Sequence, residues 1–186
     1  MAAIVVAVCG LAGIAHAVPI TGNITFAGGV TLNTSSSGSA SEVLSWTGPG
    51  GTGLPLVISD DGSFSGIAPG TQATFAAPWH FNSGPVASLW SVGGFTFNLS
   101  SSHVVFQGGN PTGVLVDGIG AVSGNGLDTE AMTWSFSTSD PGAGGRDSLI
   151  FSFQAASGTV PDGGTTAMLL GLGVLGLGLL KKQMFA

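Results

Sequence analysis

The chain has 186 residues, with 33 glycines, one cysteine, no tyrosine and only three basic residues (Arg146, Lys181, Lys182) against nine acidic ones, for a net charge of −6. Phosphate neutralisation needs clustered Lys and Arg, so nucleic-acid binding is excluded. With 44% apolar and 6% charged residues, the composition fits neither a disordered chain nor an ordinary cytosolic enzyme.

Residues 1–17 read MAAIVVAVCGLAGIAHA, an apolar run that ends small-x-small at Ala15-His16-Ala17. Signal peptidase needs small side chains at those two subsites, so residues 1–17 are expected to be a signal peptide cut after Ala17. The usual basic n-region is missing, since the first basic residue is Arg146. Cys9 follows Val8, which is not the small residue a lipoprotein signal requires, and it is lost with the leader. The mature chain then has no disulfide, no thiolate chemistry and no cysteine-ligated zinc. Packing and backbone hydrogen bonds alone must hold the domain together.

Residues 18–159 are expected to form one all-β ectodomain. Period-2 alternation recurs along them: Ile24, Phe26, Val30 and Leu32 against Thr21, Asn23, Thr25 and Thr31; Phe95, Phe97 and Leu99 against Thr96, Asn98 and Ser100. The same pattern returns in Trp134 and Phe136, and in Leu149, Phe151 and Phe153. Shorter runs lie at residues 43–46, 56–58, 72–75, 104–107 and 114–122. Turn signals separate the runs, among them Gly28-Gly29, Asp60-Asp61-Gly62, Gly93-Gly94, Asn125-Gly126 and Asp140-Pro141-Gly142. Eight to ten short strands, by this spacing, indicate an antiparallel β-sandwich or a jelly roll. No segment of the ectodomain has helical periodicity, and there is no fixed-period repeat.

Candidate chemistry in the ectodomain is sparse. His80 and His103 are the histidines left after leader cleavage, and neither has a second histidine at metal-ligand spacing. No G-x-S-x-G elbow exposes a serine nucleophile. Two acidic stretches invite comparison with calcium loops: Asp60-Asp61-Gly62, and the run from Asn125 to Glu130 with Asp128 and Glu130 as ligands. Neither has EF-hand spacing, and Asx-type turns account for both more simply. Trp46, Trp79, Trp90 and Trp134 are candidates for a sugar-stacking platform or, more economically, for the core. We therefore expect no catalytic residues, no cofactor and no metal.

The carboxyl end, residues 160–186, departs sharply from the rest. Val160-Pro161-Asp162-Gly163-Gly164-Thr165 precedes an uncharged apolar stretch over residues 165–180, and Lys181-Lys182 follow directly. Sixteen residues span about 24 Å as a helix, somewhat short of a ~30 Å hydrocarbon core, and flanking residues and lysine snorkelling close such a gap. The lysines are expected to hold the end of this transmembrane helix in the cytoplasm. Pro161 fixes its own φ and biases Val160 toward extended backbone, while Asp162-Gly163-Gly164 continue neither helix nor strand cheaply. An open segment beside the membrane is the form a protease cleft accepts.

This three-part tail resembles the PEP-CTERM class of sorting signals, and most closely its VPDSG variant, with Gly163 where the naming motif has serine. The resemblance implies that Val160, Pro161, Asp162, Gly163 and Gly164 are the recognition positions and that Lys181 and Lys182 are the cytoplasmic anchor. It implies an exosortase as processing enzyme, in addition to signal peptidase. It further implies transient anchoring in the inner membrane, followed by delivery to the cell surface or to an exopolysaccharide matrix. The expected protein is a non-enzymatic exported surface or matrix protein. A carbohydrate-binding module for the matrix polysaccharide is the alternative, and a secreted hydrolase a more distant one. A lipid-anchor signal would want a polar spacer before its apolar tail and no basic end.

Overall fold

The computed structural model describes residues 18–140 in full and residues 149–157 by their backbone. Residues 1–17, expected to be a signal peptide, the motif at 160–164, the apolar stretch 165–180 and Lys181-Lys182 lie outside the described residues. Ten strands follow in order: β1 Gly22–Leu32, β2 Glu42–Thr47, β3 Leu56–Asp60, β4 Thr74–Phe75, β5 Trp79–His80, β6 Val86–Val92, β7 Phe95–Gly108, β8 Gly113–Gly124, β9 Leu127–Ser139 and β10 Leu149–Ser157. Among the described residues one 3-10 turn, Gly62–Phe64, interrupts them. Among the described residues no helix is long and apolar enough to cross a membrane.

The all-β, antiparallel expectation holds. The strands form one path, β4-β6-β7-β8-β9-β10-β1-β2-β5, with β3 also paired to β1. Further bonds join the two sides of this path. The Val57 N–H donates to Thr71 O (3.0 Å) and the Ala73 N–H to Pro55 O (2.8 Å), which ties the segment before β4 to β3. On its other edge the same segment bonds β6, through β4 and through the Ala76 N–H to Leu89 O at 2.9 Å. Backbone hydrogen bonding therefore runs right round, and the two layers expected of a sandwich are opposite walls of one closed sheet. Inward–outward alternation is the same in a sandwich and a barrel, so the sequence pattern does not separate them. Bulges between Leu99 and Ser101 and between Val104 and Phe106 increase the coiling of long β7.

The alternating apolar residues meet inside this wall. Phe26 of β1 contacts Phe75 of β4 and Trp90 of β6, each at 5.2 Å between ring centroids. Trp79 of β5 lies 5.5 Å from Trp134 and 5.4 Å from Phe136, both on β9. On β8 the inward positions alternate Val114, Val116, Gly118, Gly120 and Val122. The two glycines are needed for space: a Cβ on Gly118 would stand 2.6 Å from the Trp134 ring, and one on Gly120 would strike the Phe97 ring. Asn125 (φ 52°) and Gly126 (φ 73°) supply the two left-handed residues of the tight β8–β9 turn.

Three local expectations change. Gly28-Gly29 is not a turn but buried mid-strand in β1, where pairing passes from β3 (Ala27 opposite Leu56) to β2 (Gly29 opposite Thr47). The runs at 95–99 and 104–107 are one strand, β7, because its bulges absorb the break in alternation. The acidic run after Gly126 is the start of β9 rather than a loop, so Asp128 and Glu130 lie on a strand.

The two ends of the barrel differ. At one end, the β1–β2 connection is tied to the β7–β8 hairpin and to the end of β9. Asp140 accepts from the Ser37 N–H (2.8 Å) and from Ser36 Oγ (2.7 Å), while Gln107 Nε2 donates to Ser37 O and Ala40 O. At the other end, Phe64 and Ile67 are buried beneath the 3-10 turn, and Phe64 packs on Phe95 at 4.7 Å. There Ser63 and Thr21 exchange hydrogen bonds, and the Asp128 N–H donates to Val18 O. Asp61 accepts from the Asn23 backbone and side chain.

These bonds hold two carboxyls below the usual carboxylate range: Asp61 through the Asn23 side chain and then its backbone N–H, and Asp140 chiefly through the Ser37 N–H, against some desolvation. A carboxyl that gives up its proton more readily when folded stabilises the fold fully above its unfolded pKa, near 4, and loses that contribution as pH falls through the lower folded value. Acid unfolding is therefore expected to steepen below about pH 4, and Asp140→Asn to flatten it, in denaturant melts taken from pH 6 to pH 2.

Candidate functional site

Outward positions of β7, β8 and β9 form the most evident surface site. The register sets His103 opposite Asp117 and Asp117 opposite Ser135, with Ser101, Ile119 and Thr133 in a parallel row. Neighbouring strands are about 4.8 Å apart. Together these residues line an open trough of about 510 Å³. It offers an imidazole, a carboxylate and hydroxyls beside the exposed Ile119 side chain.

The trough lacks the arrangement of a serine hydrolase. The carboxylate stands between Ser135 and His103, whereas general-base catalysis needs the imidazole next to the serine and the carboxylate beyond it. Ser101 shares a strand face with His103, roughly 7 Å away along the strand. Neither serine is hydrogen-bonded to His103 among the described residues. The other histidine among the described residues, His80, has its Nε2 3.5 Å from Glu42 Oε1 across the β2–β5 pair, with side-chain exposures of 65% and 17%. The histidine end of that pair is open to solvent, and pairs so exposed contribute little.

All four tryptophans are core residues: Trp46 is 9% exposed, Trp79 1%, Trp90 0% and Trp134 3%. The sugar-stacking platform is therefore overturned. Trp46 Nε1 donates to Ala76 O (2.8 Å), which fixes one ring against the β4 segment. The cation candidates are also dispersed. Asp61 is engaged by Asn23, and Asp128 and Glu130 stand on β9 with no third ligand; no group of three or more His, Cys, Asp or Glu gathers among the described residues.

The sequence isolates His80, His103 and the tryptophans but gives no sign of the trough. Asp117 and Ser135 are ordinary outward residues of alternating strands, and only the register across the β7 bulges brings them beside His103.

The remaining candidate is the tail, positioned by β10. That strand lies between β9 and β1 and ends at Ser157, which pairs with Gly22 at the first residue of β1. Both ends of the ectodomain thus leave the barrel at the end stoppered by Phe64. Ser157 is followed by Gly158, Thr159 and then Val160. Comparison with curated proteins and with solved structures finds no match. Comparison with family models finds one at residues 159–184, described as the VPDSG-CTERM motif, which implies exosortase processing and export to the cell surface. The chain therefore carries a VPDSG-CTERM sorting motif, set directly after the last strand of its barrel.

Proposed function

We propose that this is a non-enzymatic surface or matrix protein whose defined biochemistry is to be an exosortase substrate. Residues 1–17 direct export, and signal peptidase cuts after Ala17. Residues 165–180 then halt in the inner membrane with Lys181 and Lys182 on the cytoplasmic side. The exosortase acts within Val160-Pro161-Asp162-Gly163-Gly164, and the barrel is released or displayed. The observation that carries this reading is the sorting motif at residues 159–184 immediately behind a strand that ends at Ser157. The motif can be cut without severing a strand, so processing leaves a complete barrel. The absence of cysteine from residues 18–186 fits a domain that must fold outside the cytoplasm without disulfide exchange.

The test is the intact mass of the protein recovered from the cell surface. The expected species begins at Val18 and ends between Val160 and Gly164, with or without an added group at that end. A surface species that keeps Lys181-Lys182 would overturn the reading.

A further inference from the structure

The end of the barrel from which the tail leaves has little freedom to stand clear of whatever grips the tail. Gly158 and Thr159 alone separate the end of β10 from Val160. Three residue steps reach at most about 11 Å even when fully extended. A polar headgroup layer is itself about 5–7 Å thick, and a protease cleft must enclose several residues around its cut. An enzyme that holds residues 160–164 at the membrane therefore meets the barrel.

The part of the barrel it meets is fixed by the fold. Ser157 pairs with Gly22, and Thr21 is bonded to Ser63 of the 3-10 turn. Beside that turn lies a groove of about 380 Å³ lined by Gly66, Ile67, Gly93, Phe95 and Asn125 among others. Its walls are held firmly: Asn125 Nδ2 donates to Gly93 O (3.0 Å), and Phe95 packs on Phe64. No basic side chain stands among the described residues, so this end accepts a neutral or basic partner and repels an acidic one.

We propose that this grooved, stoppered end is a docking surface for the membrane-embedded enzyme that processes the tail, so that the folded barrel as well as the motif is recognised. The inference rests on the sorting reading above. It predicts that the opposite end, with Ser36, Ser37 and Asp140, points away from the membrane and plays no part in processing.

Gly66 is suited to the test, because it is exposed on the groove and a side chain there would meet nothing within 4 Å. Gly66→Trp in the full-length chain, expressed in the native host, is expected to slow conversion of tail-bearing precursor to processed protein by at least about tenfold, because the added indole holds the two surfaces apart and forfeits their packing. Ser35→Trp, at the opposite end, is expected to convert at the wild-type rate. Eight Gly/Ser residues inserted after Ser157 uncouple the barrel from the motif, so the insertion is expected to slow the otherwise wild-type chain and to leave Gly66→Trp no faster. Thermal melts of the purified variants confirm that each is folded. Wild-type conversion of Gly66→Trp, equal slowing by Ser35→Trp, or full rescue of Gly66→Trp by the insertion, the mark of a steric clash without docking, would each overturn the docking surface and leave the sorting reading intact. Absence of conversion in the wild-type chain would overturn both.

Discussion

A chain ended after Thr159 is expected to fold like the full-length protein and to vanish from the cell surface. All ten strands are complete by Ser157, so the barrel loses no hydrogen bond of its ladder. Its thermal midpoint after export should stay within about 2 °C of the processed protein, corresponding to roughly half a kilocalorie per mole for a domain of this size. Surface display, read by protease accessibility on intact cells, should fall to background, because the sorting motif at 159–184 is gone. Ending the chain before Leu149 instead deletes the strand that joins β9 to β1. That shorter chain opens the barrel and is expected to yield no cooperative melt. The contrast between the two truncations separates the address from the structure.

Trp79→Ala is expected to have the largest effect of any single substitution in the ectodomain, about 3–5 kcal/mol. Trp79 is fully enclosed and reaches four other rings: Trp46 at 6.0 Å, Phe81 at 5.4 Å, Trp134 at 5.5 Å and Phe136 at 5.4 Å. Its strand, β5, has only two residues, so the backbone there adds little and the side chain pins the segment. A loss of that size is a large part of a typical domain stability of about 5–15 kcal/mol. Trp79→Phe should cost less than half as much. It keeps an aromatic ring in the cluster and removes an indole N–H that is buried without a hydrogen-bond partner. Denaturant unfolding of both variants checks the order. A Phe variant as unstable as the Ala variant would show that the indole's shape, and not its aromatic contacts, holds β5.

What was legible in the sequence was what local chemistry dictates. Alternation found β1, β8 and the body of β9, because a half-buried strand must alternate. Asn125-Gly126 and Gly93-Gly94 marked tight turns because the backbone there needs positive φ, as observed at all four residues. The tail was legible for a different reason: its proline, acidic and glycine motif, apolar stretch and lysine pair are contiguous, so no folding is needed to assemble them. Features created by long-range register were not legible. Gly28-Gly29 reads as a turn in isolation and proves to be a buried strand interior where pairing passes from β3 to β2. β5 is too short to leave a periodic trace and exists because Trp79 fills the core. The His103, Asp117 and Ser135 row is invisible for the same reason, since it depends on the bulges of β7.

The closed hydrogen-bonding circuit has a consequence for colloidal behaviour. Residues 18–159 carry one basic and eight acidic residues, so copies repel one another, but salt screens that repulsion beyond about 10 Å and it fades when many copies crowd together. An open sheet of Thr-, Ser- and Val-rich strands under those conditions would invite edge-to-edge growth into fibres. Here the terminal strands of the path, β4 and β5, have two residues each, and the β4 segment is engaged on both edges. At high local density topology thus adds to charge in keeping copies apart, because no long strand edge is left to template a neighbour.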